Sequence, residues 1–174
     1  MSHLTRPVGE GDHLQGPPGA RVVLVEYGDF ECPYCGEAYP EIKAVQQAMG
    51  DGLCFVFRHF PLSQAHPHAE RAAEFAEAAA TVGRFWEMHD LLYENQQALD
   101  DRSLAHYADK LGMDRKLIEA ALRGTFAARV RKDFSGGVRS GVNGTPCLFV
   151  NGERYEGAWD AETLIQALGL VGRR

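Results

Sequence analysis

The stretch Val22-Val23-Leu24-Val25-Glu26-Tyr27-Gly28-Asp29-Phe30-Glu31-Cys32-Pro33-Tyr34-Cys35-Gly36 decides the reading of this chain. A β-branched apolar run too short for a helix marks a buried strand. Gly28 and Asp29 break it, and Pro33 suits the first turn of a helix, where its missing N–H costs nothing. Ala38, Ile42, Val45 and Met49 recur at helical spacing behind it, with Pro40 expected to kink the helix and Gly50 to end it. Two thiols separated by two residues at a helix start can close a disulfide, and the helix N-terminus favours a thiolate on the first. Metal binding and a static disulfide are the competing readings. A structural metal site commonly takes four ligands, and Cys54 and Cys147 have no closely spaced partner, so the pair reads as redox-active.

Three stretches then carry a resemblance that covers nearly the whole chain after about residue 20. They are Val25 to Cys35, Arg58-His59-Phe60-Pro61-Leu62, and Gly141-Val142-Asn143-Gly144-Thr145-Pro146. In order and spacing they resemble the DsbA family of thioredoxin-fold disulfide oxidoreductases. The resemblance implies an α/β thioredoxin fold with an inserted all-helical subdomain. Its first half would span 1–61, the helical insertion 62–140, and the second half 141–174. It further implies a cis bond at Thr145-Pro146 facing the cysteines, and a buried acidic residue beneath them at Glu26. On its chemistry alone Glu26 is an anomaly: a carboxylate in a buried strand is costly unless paired or protonated. Either it tips outward at the strand end or, with its pKa raised, it trades a proton with Cys35.

The expected chemistry is thiol–disulfide exchange, with Cys32 as the more exposed nucleophile and Cys35 resolving the mixed disulfide. Pro33, Tyr34, Thr145 and Pro146 form the expected substrate-binding set, with the Thr145 backbone pairing to an extended segment. Partners would be protein thiols or disulfides, plus a redox protein that recycles the site; no cofactor beyond the Cys32–Cys35 disulfide is expected. Because Pro-Tyr between cysteines also occurs in glutaredoxins, glutathione mixed disulfides are a second possibility. A metal or Fe–S carrier, with the pair supplied by each of two subunits, is a third from another class.

The rest of the chain bounds these readings. Its 174 residues suit one domain with an insertion, and a net charge of -6 argues against nucleic-acid binding. No apolar run approaches the roughly 20 residues that span a bilayer. Residues 1–20 lack a signal-peptide layout, which points to the cytoplasm; a mature form with its leader removed would instead be periplasmic or exported. Their Gly and Pro content suggests a loop or short edge strand with mobile first residues.

Leu53 to Phe60 reads as a second buried strand, parallel to the first. Helices follow, with Asp101, Asp114 and Thr125 as expected caps, and Phe126, Val130, Phe134 and Val138 as the buried face of the last. His3 and His13 read as solvated with no ligand-spaced neighbours, His59 as a satisfied core or loop histidine, and His89 as a packed neighbour of Trp86 and Met88. Arg129, Arg131 and Lys132 read as a solvated surface. Beyond Pro146, a strand from Cys147, an Asn151-Gly152 turn and a helix capped by Asp160 close the chain. In the thioredoxin arrangement, Cys54 and Cys147 would lie on strands flanking the central one, too far apart to bridge. Both should be reduced and buried, with Cys147 turned away from Cys32.

Overall fold

The computed structural model describes residues 2–173. Strand β2 (Val22–Gly28) lies at the centre of a five-stranded sheet of order β1-β3-β2-β4-β5. It pairs in parallel with β3 (Leu53–His59) and antiparallel with β4 (Cys147–Val150). The parallel pair is joined by helix α1 (Pro33–Met49), the crossover that parallel strands require. Short strands β1 (His13–Gln15) and β5 (Glu153–Tyr155) close the two edges. Asn151 and Gly152, with φ of 48° and 87°, form the β4–β5 turn.

Helices α2 (Ala69–Ala80), α3 (Phe85–Glu94), α4 (Asp101–Lys110), α5 (Arg115–Leu122) and α6 (Ala127–Arg139) lie between β3 and β4. Helix α7 (Ala161–Val171) closes the chain against α1. Because side chains alternate along a strand, the sheet divides the core in two. Val22 and Leu24 pack with α1, α3 and α7, in the same cluster as Cys32 and Cys35. Val25, Tyr27, Cys54, Cys147 and Phe149 pack on the opposite face, under Phe134 of α6. Cys54 and Cys147 are thus buried free thiols on the face away from Cys32.

Several expectations need correction. The α4 cap is Asp100, whose side chain accepts from Ser103 N–H, and Asp101 is the first helical residue. Thr125 caps nothing; α6 begins after Phe126 with no side-chain cap. Val138 is exposed, because a strict four-residue spacing drifts around a 3.6-residue helix. The face that packs keeps Val130 and Phe134, which stacks on Phe60, and is completed by Asp133 and Gly137, where a Cβ would lie 2.7 Å from the Phe60 ring.

The N-terminal segment is tied down rather than mobile. Leu4 N–H bonds Gly152 O, Thr5 meets Ser140, and Arg6 pairs with Asp12 and Asp133. It packs over Arg58, a fully buried guanidinium that donates to Asp12, Tyr27 Oη and the carbonyls of Arg6 and Pro7. Nor is His13 solvated: its ring stacks on Phe85 at 3.5 Å and its Nε2 meets Glu77 at 2.7 Å.

Candidate active site

Cys32 occupies the N-cap of α1 with Pro33 at the first helical position; its own N–H bonds back to Asp29 O at 3.1 Å. It is only 3% exposed, so the expectation of an exposed thiol holds only relative to Cys35, which is fully buried one turn deeper. The approach to Cys32 is crowded by the Thr145-Pro146 loop, whose peptide bond is cis. The Cys32 sulfur lies 3.5 Å from the Thr145 carbonyl oxygen, to which a thiol donates. The Thr145 hydroxyl is buried without any other partner and supplies a donor once the thiolate forms. Pro33 and Tyr34 lie exposed beside this pair, Tyr34 at 64%.

The two thiols are driven apart in acidity. A hydrogen bond from Cys35, aided by the Thr145 hydroxyl and by the N–H groups of Cys35 and Tyr34, brings Cys32 down to about 5. Burial pushes Cys35 well above the usual thiol range, and the same hydrogen bond to Cys32 adds to the effect. Glu26 does not tip outward. It shares the Leu24–Gly28 face of β2 that looks toward α1, is 2% exposed, and its Oε1 has no partner. Burial, with the nearby Cys32 charge, raises its carboxyl to about 8.

Residues that the sequence reading passed over hold this loop in place. Asp29, fully buried, accepts from Glu31 N–H, Leu62 N–H and the His66 ring, binding the cysteine loop to the entrance of the helical segment. Gln96, after α3, donates to the carbonyls of Phe30 and Cys32 at 2.9 and 2.8 Å. Gly36 makes room for it, since a Cβ there would lie 2.1 Å from Gln96 Oε1. The Tyr93 hydroxyl, buried and unpaired, lies over Gly28 on the Glu26 face. Only Gly36, a glycine within a helix, signalled any of this in the sequence. His89 behaves as expected, its ring 5.0 Å from Trp86, and burial lowers it to about 4.

A thiol pair of opposed acidity at a helix start, facing a cis-proline loop, is a site of thioredoxin type. The chain belongs to the thioredoxin family, whose model, described as "Thioredoxin", matches residues 9–169. Its fold is similar to that of BdbD from Bacillus subtilis in the oxidised form, at 22% identity over 99% of both chains with a TM-score of 0.87. It is similar too to alpha-DsbA1 of Wolbachia pipientis, at 15% identity over 98% of this chain and 94% of that one, TM-score 0.84. In sequence it is 44% identical over 169 residues to "Na(+)/H(+) antiporter NhaA 1" of Mycobacterium sp. (strain KMS). That match covers 95% of this chain but only 28% of the relative, so this chain spans about a quarter of its length. No described helix is long and apolar enough to cross a membrane.

Proposed function

We propose that the chain catalyses thiol–disulfide exchange with protein substrates through Cys32 and Cys35, running chiefly in the oxidising direction. The observation that carries the proposal is the asymmetry of the pair. Cys32 caps α1 against the Thr145 carbonyl, while Cys35 is sealed beneath it. In the first step a substrate thiolate attacks the Cys32 sulfur, the Cys32–Cys35 bond breaks, and Cys35 leaves with the electron pair. Glu26, protonated at neutral pH because its carboxyl sits at about 8, gives its proton to that sulfur. A second substrate thiolate then attacks the substrate sulfur of the mixed disulfide, and Cys32 departs as the favoured thiolate. The substrate loses two electrons, which the Cys32/Cys35 dithiol holds until a redox partner removes them.

Direction follows from the same asymmetry. Stabilising the Cys32 thiolate stabilises the reduced pair and makes the disulfide a stronger oxidant. Oxidase duty belongs to an oxidising compartment, which favours an extracytoplasmic setting. The likeness to part of a longer chain named as an antiporter supports work close to a membrane. Pro33, Tyr34, Thr145 and Pro146 form the substrate surface, with the Thr145 backbone offering strand-like pairing.

The test is equilibration against glutathione redox buffers with alkylation and mass-spectrometric readout. We expect the pair to be mostly reduced in buffers where ordinary structural disulfides stay oxidised. An equilibrium strongly favouring the disulfide would overturn the oxidising direction. Absence of exchange with both protein and glutathione disulfides would overturn the function.

A further inference from the structure

Apart from the thiols, three side chains from three elements converge on one point. His13 of β1, His59 at the end of β3 and Glu77 of α2 bring their ligand atoms within 4.8 Å of one another. Both imidazole Nε2 atoms lie 2.7 Å from the same carboxylate oxygen, Glu77 Oε1. The geometry points to a divalent metal site of the zinc class, with His13 Nε2, His59 Nε2 and Glu77 Oε1 as ligands and a fourth position left to water.

Four features support that reading over a plain hydrogen-bonded triad. First, the donor set is two imidazoles and a carboxylate, which suits zinc and its neighbours rather than calcium or magnesium. Second, the rings are held by aromatic packing before any ion enters: His13 stacks on Phe85, and His59 sits edge-on to Phe30, Phe57 and Phe85. Third, Arg129 Nε lies 3.8 Å from the other carboxylate oxygen, Oε2, and its charge is offset by Asp133 at 2.7 Å. It steadies Glu77 and leaves Oε1 for the ion. Fourth, His59 Nδ1 is buried without a partner. Coordination gives up the Nε2–H bond to Glu77 and moves the ring proton to Nδ1, a position that at His59 is engaged with no other group. Metal–ligand bonds of roughly 2.0–2.2 Å set tetrahedral neighbours about 3.3 Å apart, so an ion needs each imidazole nitrogen to part from Oε1 by about half an ångström, and the two nitrogens, within 4.8 Å of each other, to settle at the same spacing.

The ion would join the N-terminal edge strand to α2 and the end of the parallel pair. His13 is the one ligand that reaches the surface, and so marks the way in. The Phe30 ring, 5.9 Å from His59, lies toward the thiol loop, so the site is separate from the redox pair.

The test uses the full chain with Cys32–Cys35 oxidised, stripped with chelator, and titrated with Co²⁺ and then Zn²⁺. We expect one equivalent of Co²⁺, d–d absorption of a four-coordinate centre, no thiolate-to-cobalt charge-transfer band, displacement by Zn²⁺, and a higher Tm. His13→Ala, at a partly exposed edge position, should keep the native circular dichroism. It should lose more affinity than the ~10–100-fold that removing a supporting hydrogen bond costs. Glu77→Gln, which keeps shape and removes charge, should weaken binding likewise. Absence of stoichiometric binding at micromolar metal would overturn the site, as would His13→Ala binding as tightly as the parent. A charge-transfer band would reassign the ion to cysteine.

Discussion

Replacing Glu26 with Gln keeps the volume of the side chain and removes its titration, which isolates what burial of this carboxyl costs. In the folded protein the group sits at about 8 against an ordinary 4.5, chiefly because it is buried and secondarily because of the Cys32 charge. At about 1.4 kcal/mol for each tenfold change in proton affinity, that gap amounts to about 5 kcal/mol. In the oxidised protein Cys32 carries no charge, so on the order of 3–5 kcal/mol remains. The sign follows from proton counting. Below about pH 4.5 the carboxyl is neutral in both folded and unfolded chains, and no penalty exists. Between there and about pH 8 the unfolded chain ionises while the folded one holds its proton, so stability falls as pH rises. Above about 8 the loss is complete. Denaturant unfolding of the oxidised parent and Glu26→Gln across pH 5 to 9 should therefore show the variant gaining steadily on the parent, by several kcal/mol at the alkaline end. A stability difference that stays flat with pH would refute the burial argument, and with it the role of Glu26 as a proton donor to Cys35.

Alkylation of the reduced protein should label Cys32 with a midpoint near pH 5, as its lowered acidity requires, while Cys35 stays unlabelled in the native state; equal, ordinary reactivity at both would contradict the asymmetry. Cys35→Ser, offered protein disulfides, should accumulate mixed disulfides on Cys32, read by non-reducing electrophoresis and mass mapping, because Cys35 is the thiol that would release them in the reverse direction. Thr145→Val removes a hydroxyl that faces the thiolate and should lift the Cys32 midpoint by about one pH unit, the worth of a hydrogen bond to a charged group; an unmoved midpoint would show the hydroxyl idle. Gly28→Ala should destabilise the fold by about 1–3 kcal/mol in urea, since its Cβ would lie 2.5 Å from the Phe57 ring and 2.8 Å from the Tyr93 hydroxyl.

What the sequence made legible was local or patterned. The apolar run of β2, the cysteine spacing, the Asn151-Gly152 turn and the caps at Asp114 and Asp160 each rest on neighbours in the chain. Glu26 stood out because a carboxylate in an apolar run breaks the pattern. Asp29, Gln96 and His13 did not, because their partners lie 37, 66 and 64 residues away at His66, Phe30 and Glu77, and polar residues in loops look solvated until the fold brings those partners up. The α6 face departs in part from its apolar pattern for a subtler reason. Asp133 and Gly137 are not apolar, so periodicity passed over them, yet a small residue is what lets the helix approach Phe60 and Tyr27.

The buried guanidinium of Arg58 changes what the first dozen residues are for. A Gly- and Pro-rich segment looks like a place to append a tag or to trim a chain. Here its carbonyls at Arg6 and Pro7 and the carboxylate of Asp12 are what keep a fully enclosed positive charge solvated by protein instead of water. Cutting the chain beyond Asp12 would open a wet hole against the central sheet and leave that cation to find new partners, a change of the kind that costs several kcal/mol. The segment from Arg6 to Asp12 behaves as a stopper fitted to the sheet, and whatever is fused ahead of it must leave it free to fold back.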